Sequence, residues 1–244
     1  MKRFLVGEPL TPGARIQLSP EESKHCTRVM RQAVGDTILL TDGKGIEAEA
    51  RIISTEKSGV VAEVSALREA ASRPFRFELI QAPLKGPRMD WLVEKATELG
   101  VDSLHVVDSQ FSVAGGERSE RWLRLAQSAM KQSGNLRMPE IHDSAPLAEV
   151  LARLPASFSG FLLSPGARTG LAEAVGAALA QGKSHVVLAI GPEGGFSGEE
   201  EEAFVAKGFL PCLLSSQILR GETAAMAALA IALHTLEIGT ASRL

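Results

Sequence analysis

The chain has 244 residues, a formal net charge of −3, and 45% hydrophobic against 23% charged residues. This composition is that of an ordinary folded protein and excludes the disordered, collagen-like and coiled-coil classes. The length suits one large domain or two small ones, and no apolar run is long enough to span a membrane, so we expect a cytoplasmic protein. Cys26 and Cys212 stand far apart without a CxxC pattern, which argues against a zinc site or a disulfide framework.

Residues 1–73 predict a small β-barrel, because short apolar segments alternate with turn pairs such as Asp42-Gly43. One helix is predicted over 20–30, where Ser19 supplies the N-cap and Pro20 the first helical position. The segment before Pro74 resembles a linker, so we place a domain boundary between residues 73 and 74. The strands are predicted at 16–18, 37–40, 47–53 and 60–64.

From residue 74 to 244, strands and helices alternate, which is typical of an α/β domain with a mainly parallel sheet. Ser197 and Glu200 predict a capping box at the start of one helix. The predicted strands are 77–81, 103–107, 158–163, 185–190 and 210–214, and the predicted helices are 89–99, 122–130, 171–179, 197–207 and 222–237.

The charge is unevenly distributed along the chain. In the first 31 residues six basic residues stand against three glutamates, a local net charge of +3. Such an excess either forms a solvated face or attracts RNA phosphates, and the sequence alone leaves both readings open. The basic residues are Lys2, Arg3, Arg15, Lys24, Arg28 and Arg31.

Two predicted loops, 191–195 and 215–221, each follow a predicted strand. The carboxyl ends of parallel strands meet at one edge of a sheet, so we expect these loops to form a pocket. Leu214, Ile218 and Leu219 could line a slot for a flat ring such as adenine, with Arg220 and Glu222 as polar groups at a helix start. The alternative is a structural turn beside an ordinary Arg220–Glu222 ion pair. Neither phosphate-binding fingerprint, GxGxxG or GxxxxGK[ST], is present.

Four stretches together resemble one bacterial family, the ribosomal RNA small subunit methyltransferase E family of the SPOUT superfamily. An N-terminal segment with His25, Arg28, Arg31 and Gly35 and the Asp42 to Gly45 turn also fit, so the resemblance spans nearly the whole chain. The four stretches are Leu84 to Met89, Glu94 to Val101, Ile190 to Ser197 and Ile218 to Ala224.

The resemblance implies a PUA-like, RNA-binding β-barrel at 1–73. It implies a SPOUT α/β domain at 74–244 with a C-terminal trefoil knot, which binds S-adenosylmethionine and forms a homodimer. The implied reaction is methylation of N3 of a uridine in 16S ribosomal RNA on the 30S subunit, with no metal. The alternatives are a non-catalytic RNA-binding or ribosome-assembly module on the same fold, and a methyltransferase acting at another RNA position.

Residue by residue, the resemblance implies three sets of functional residues. For catalysis we expect Arg220 to stabilise the uracil oxygens, and Glu222 to act as a base or to orient Arg220 or the cofactor. The family commonly has glycine where this chain has Ser215, a position where glycine would permit a positive φ. The cofactor residues are Leu163, Ile190, Gly191, Pro192, Glu193, Gly194, Gly195, Leu214, Ser215, Ile218 and Leu219. The RNA-binding residues are Lys2, Arg3, His25, Arg28, Arg31, Lys85 and Arg88, with packing in the barrel as the alternative role of His25.

Overall fold

The computed structural model describes residues 2–112 and 119–241. Its contacts divide the chain into two compact units. The first comprises Met1–Ser72 with Gln127–Met138, and the second comprises Arg73–Ala126 with Pro139–Leu244.

The first unit is built on a five-stranded, barrel-like sheet with the order β1-β3-β4-β5-β2. All neighbouring strands are antiparallel except β1 and β3. Alternate residues face a core that contains Phe4, Ile38, Leu40 and Ile52. The four predicted strands are present, three of them with longer bounds and β2 shifted by one residue, and β1 is an additional strand. The strands are β1 (Arg3–Leu5), β2 (Arg15–Gln17), β3 (Thr37–Thr41), β4 (Ile46–Glu56) and β5 (Gly59–Glu69).

The helix predicted over 20–30 is in fact two helical types in succession. Helix α1 (Pro20–Lys24) starts as expected, with the Ser19 hydroxyl accepting a hydrogen bond from the Glu22 amide at 3.2 Å. A π-helix follows over His25–Val29, where the Met30 amide donates to the His25 carbonyl. The segment ends at Arg31, whose φ of 54° is the only positive value for a non-glycine residue in the described part of the chain. The wider turn of the π-helix directs the side chains that follow it differently from an α-helix.

The second unit is a six-stranded sheet with the order β11-β9-β10-β6-β7-β8, and every neighbouring pair is parallel. The predicted α/β architecture is therefore confirmed. The strands are β6 (Arg76–Gln81), β7 (Ser103–Asp108), β8 (Glu140–Pro146), β9 (Ser159–Leu163), β10 (His185–Ile190) and β11 (Phe209–Cys212). The helices are α2 (Arg88–Glu98), α3 (Ser119–Ser133), α4 (Leu147–Arg153), α5 (Leu171–Ala180), α6 (Gly198–Ala206) and α7 (Gly221–Ala241), with α3 entering the first unit from Gln127 onwards.

Two elements of this unit were not predicted, the edge strand β8 and helix α4 that follows it. Strand β8 has the sequence Glu-Ile-His-Asp-Ser-Ala-Pro and only one fully buried residue, Ala145, so it lacks the apolar pattern that reveals a central strand. The predicted capping box is confirmed at α6, where Ser197 and Glu200 each accept a hydrogen bond from the other's backbone amide.

Helix α7 carries a buried stripe that packs against α5 and β10. By length and by its mean hydropathy of 1.3, the segment Gly221–Thr240 would also suit a membrane span. Of that segment 28% is buried, on the side that contacts α5, α2 and β10. The buried residues of the stripe are Ala225, Ala228, Leu229, Ala232 and Leu236.

A buried carboxylate, Glu78, organises the amino edge of the parallel sheet. Its oxygens face His105 Nε2 and His185 Nε2 at 2.8 Å each and Arg76 Nε at 2.6 Å. The His105 ring stacks on His142 with the centroids 4.4 Å apart. Burial alone would raise the pKa of Glu78, but the three hydrogen bonds outweigh it and lower the pKa to about 2.

Replacing Glu78 by Gln should lower the free energy of unfolding by roughly 3 kcal/mol near neutral pH, because the donors of His105, His185 and Arg76 would then face a buried neutral amide instead of a carboxylate. The folded-state pKa lies below the ordinary value of 4.5, so this stabilisation is fully present above about pH 4.5 and is lost as the pH falls toward 2. Urea denaturation of both proteins at about pH 7 and about pH 3 measures the difference.

The matched control is Glu140→Gln, since the Glu140 side chain is 64% exposed and should contribute little. A difference between wild type and Glu78→Gln that stays constant over this pH range would contradict the assignment of an ionised, hydrogen-bonded Glu78.

Candidate active site

A cavity of about 150 Å³ lies at the carboxyl edge of the parallel sheet. Strands β11, β9 and β10 are adjacent there, so the loops that follow them are brought side by side. The walls are Leu163 to Pro165 after β9, Ile190 to Glu193 with Gly195 after β10, and Leu213 to Ser215 with Gln217 to Leu219, Gly221 and Ala224 after β11. The two predicted loops thus meet, and the segment that begins at Leu163, where the resemblance also implied cofactor binding, forms the third wall.

Ten of the eleven residues predicted to bind the cofactor line this cavity. The exception is Gly194, where an added Cβ would stand 3.0 Å from Phe111 Cβ. Of the other lining residues, Gln217 and Gly221 belong to the predicted loop 215–221, and Ser164 and Pro165 directly follow the predicted Leu163. Sequence reasoning missed Leu213 and Ala224. Whether a residue of the loop after β11 lines the cavity depends on the conformation of that loop, which no sequence pattern predicts.

Glycine is required where the loop after β10 folds back on itself. A Cβ on Gly191 would lie 3.0 Å from the backbone C of Gly195 and N of Phe196, so a side chain would push the backbone apart. Gly195 itself has a φ of 75°, in the left-handed region. These two glycines allow a tight loop whose backbone reaches the cavity wall.

Ser215 fits its position without strain. It is not among the residues with positive φ, so the conformation that would favour glycine is not adopted here. Instead, the Ser215 hydroxyl accepts a hydrogen bond from the Gln217 amide at 3.0 Å and stabilises the turn. The substitution therefore leaves this wall of the cavity intact.

Arg88 connects two of the loops. Its Nη1 lies 2.8 Å from Glu193 Oε1 and its Nε lies 3.5 Å from Glu222 Oε1. Arg220, by contrast, is exposed and its side chain has no hydrogen bond or ion pair within the described residues. The ordinary Arg220–Glu222 pair considered from the sequence is therefore not formed.

Two buried acceptor atoms near these loops have no donor within the described part of the chain. Gln81, at the end of β6, is fully buried and donates through Nε2 to the carbonyls of Ala82 at 2.9 Å and Gly191 at 3.4 Å, while its Oε1 is unpaired. Glu222 Oε2 is likewise buried and unpaired. Buried acceptors without donors are uncommon, and at a site they indicate places where a ligand N–H or O–H can bind.

The residues predicted to bind RNA differ in their environments. In the first unit, Lys2, Arg28 and Arg31 are exposed, whereas Arg3 pairs with the buried Glu47 at 2.6 Å. His25 is half-buried with its ring edge-on to Phe4, at a centroid distance of 6.1 Å, which corresponds to its alternative packing role.

Of the RNA candidates in the second unit, Lys85 is exposed and Arg88 is engaged by the two glutamates. Within residues 2–112 and 119–241, no group of three or more His, Cys, Asp or Glu side chains is arranged to hold a metal ion.

Comparison with known proteins agrees with both units. A model of the RNA methyltransferase domain matches residues 71–233, and a model of the RNA methyltransferase PUA domain matches residues 18–65. The relatives of this chain include proteins named ribosomal RNA small subunit methyltransferase E. The Bacillus subtilis protein is 26% identical over 98% of both chains, and the Mycobacterium tuberculosis protein is 30% identical over 93% of this chain and 88% of its own length.

The same family is represented among solved structures. The ribosomal RNA small subunit methyltransferase E of Neisseria gonorrhoeae, bound to S-adenosyl methionine, is 31% identical and superimposes with a TM-score of 0.85 over 94% of this chain and 95% of that one. Fold, motif-bearing loops and sequence similarity over nearly the full length therefore agree, and the chain belongs to the ribosomal RNA small subunit methyltransferase E family.

Proposed function

We propose that this protein transfers a methyl group from S-adenosylmethionine to N3 of a uridine in 16S ribosomal RNA, with the assembled 30S subunit as its substrate. The observation that carries the proposal is the cavity at the carboxyl edge, where the family motifs 190–197 and 218–224 supply two of the three walls. The Neisseria gonorrhoeae relative, which binds S-adenosyl methionine, supports the choice of cofactor.

The residues around the cavity fit this cofactor. Leu163, Leu214 and Leu219 offer apolar surface for an adenine ring, and Gly191 lets the backbone approach closely. The unpaired acceptors Gln81 Oε1 and Glu222 Oε2 could receive hydrogen bonds from the ammonium or hydroxyl groups of the ligand. When bound, the cofactor supplies an electrophilic methyl group on its sulfonium sulfur.

Two side chains of this chain would handle the uridine. N3 of uracil becomes nucleophilic only as its proton leaves, and negative charge then develops on O2 and O4. Arg220 is exposed and unpaired at the start of α7, so its planar guanidinium is available to bind these oxygens. Glu222 is the candidate acceptor for the proton, and its Oε2 has no other donor within the described residues.

The barrel at 1–73 would hold the RNA by its phosphates. Arg28 lies in the last part of the π-helix and Arg31 lies just beyond it. Both are exposed and have no ion pair within the described chain, and Lys2 is also exposed. Arg3 contributes less directly, because Glu47 already binds it. We further propose a cytoplasmic homodimer formed through the second unit, with the exposed side of α7 as part of the interface.

The proposal predicts that the purified protein labels small ribosomal subunits when these lack the modification and the methyl group of S-adenosylmethionine is labelled. Nucleoside analysis of the recovered RNA should place the label in N3-methyluridine. Free 16S RNA and large subunits serve as controls for the requirement of an assembled 30S particle. Label in another nucleoside would show that the methyl acceptor is a different base. Cofactor binding without any methyl transfer would indicate a non-catalytic binding protein on this fold.

Replacing Arg220 by Ala should lower kcat by about 100-fold and change cofactor affinity less than about threefold, because the guanidinium acts on charge that develops only in the transition state. Isothermal titration with S-adenosylmethionine and single-turnover methyl transfer measure the two quantities. Equal losses in both would assign Arg220 to cofactor binding instead.

The double substitution of Arg28 and Arg31 by Ala should weaken RNA binding similarly for all sequences. Two lost phosphate contacts should reduce the slope of log K against log salt by about 2. Fluorescence anisotropy with a 16S RNA fragment at several salt concentrations gives the slope. Arg15→Ala is the matched control, since Arg15 is an exposed arginine of the same unit that pairs with Glu63 at 3.2 Å. An unchanged slope for the double variant would exclude this surface.

A further inference from the structure

Arg88 stands between the two acidic residues of the site, which come from different loops. Glu193 follows β10 and Glu222 is in the first turn of α7, and each carboxylate approaches a different guanidinium nitrogen of Arg88, at 2.8 and 3.5 Å. Arg88 is itself the first residue of α2, after the loop that leaves β6. One side chain therefore links three connections at the carboxyl edge of the sheet.

This arrangement resolves the problem of two neighbouring carboxylates. Glu193 and Glu222 have side chains only 29% and 18% exposed, and both carboxylates approach the same guanidinium. Without a cation between them, like charges in such surroundings repel. The planar fork of arginine can serve both at once, whereas the single ammonium of lysine presents no such pair of fixed directions.

The ion pair also determines which oxygen of Glu222 remains available. Oε1 faces Arg88, while Oε2 is buried and has no donor in the described part of the chain. Resting on the function proposed above, we infer that Arg88 is a positioning residue: it holds Glu193 and Glu222 and leaves Glu222 Oε2 as the acceptor for an N–H group of the bound ligand. That group is either the ammonium of the cofactor or the N3–H of the uridine.

The same loop offers a contrast, because Lys85 lies three residues before Arg88 and is exposed with no carboxylate partner in the described residues. Lys85 is free to bind an RNA phosphate, whereas Arg88 would have to give up two carboxylates to do so. The resemblance implied RNA binding for both residues, but in the structure only Arg88 is paired with carboxylates.

The test compares Arg88→Ala, Arg88→Lys and Lys85→Ala with wild type, with Arg153→Ala as a neutral control. Arg153 pairs with Glu149 on α4, and neither residue lines the cavity. Affinity for S-adenosylmethionine is measured by isothermal titration without RNA, and kcat and KM for the 30S subunit by methyl transfer. Thermal denaturation verifies that each variant is folded.

We expect both Arg88 variants to lose about tenfold in either cofactor affinity or kcat, while the KM for RNA stays near the wild-type value. A loss in cofactor affinity would identify the ammonium as the N–H group, and a loss in kcat at unchanged cofactor affinity would identify N3–H; either result supports the inference. For Lys85→Ala we expect a higher KM for RNA with unchanged cofactor affinity. If Arg88→Ala instead behaves like Lys85→Ala, Arg88 is a phosphate contact and the inference is wrong.

A second measurement needs no ligand. Glu222→Gln and the double variant with Arg88→Ala are compared by urea denaturation, and we expect Glu222→Gln to lose less stability in the Arg88→Ala background than in wild type. Strictly additive losses would overturn the positioning role. If the wild type binds no S-adenosylmethionine, the proposed function and the ligand assignment fail, but this cycle still decides whether Arg88 holds Glu222.

Discussion

The parallel pairing of β11, β9 and β10 is the constraint on which the site depends. These three strands are neighbours in space although they are separated by helices along the chain, and their common direction brings their following loops to one edge. An antiparallel partner among them would send one loop to the opposite edge and open the cavity. The adjacent strand β6 completes the arrangement, since Gln81 at its end binds the Gly191 carbonyl and the next helix begins with Arg88.

The two edges of this sheet use their polar residues for different purposes. At the amino edge, both carboxylate oxygens of Glu78 are hydrogen-bonded to His105, His185 or Arg76, so this residue is not a candidate for ligand binding. At the carboxyl edge, Gln81 and Glu222 each keep one buried oxygen without a donor in the described residues. Removing one partner of a paired buried charge destabilises the fold, whereas a buried acceptor without a donor costs stability unless a ligand donates a hydrogen bond to it.

Much of this structure could be predicted from sequence where one local rule dominates. The capping box at Ser197 and the buried strand before Gly191 depend on neighbouring residues only, and both are present. Strand β8 was missed because an exposed edge strand needs no apolar pattern. The partners of Arg88 were missed for another reason: Glu193 and Glu222 are more than a hundred residues away, and no spacing rule connects them. The trefoil knot implied by the resemblance stays a prediction.

The π-helix at His25–Val29 allows the first unit to tolerate a change of one residue in the length of this segment. A π-turn holds one residue more than an α-turn, so a single deletion there could be absorbed by returning to α-helical hydrogen bonding. The residues beyond the deletion would then keep roughly their present orientation, because the α-turn closes over the missing residue. Arg28 lies in this segment and Arg31 lies two residues after it, so a change of one residue in the length of the segment could be taken up locally while the exposed basic residues and the barrel core kept their places.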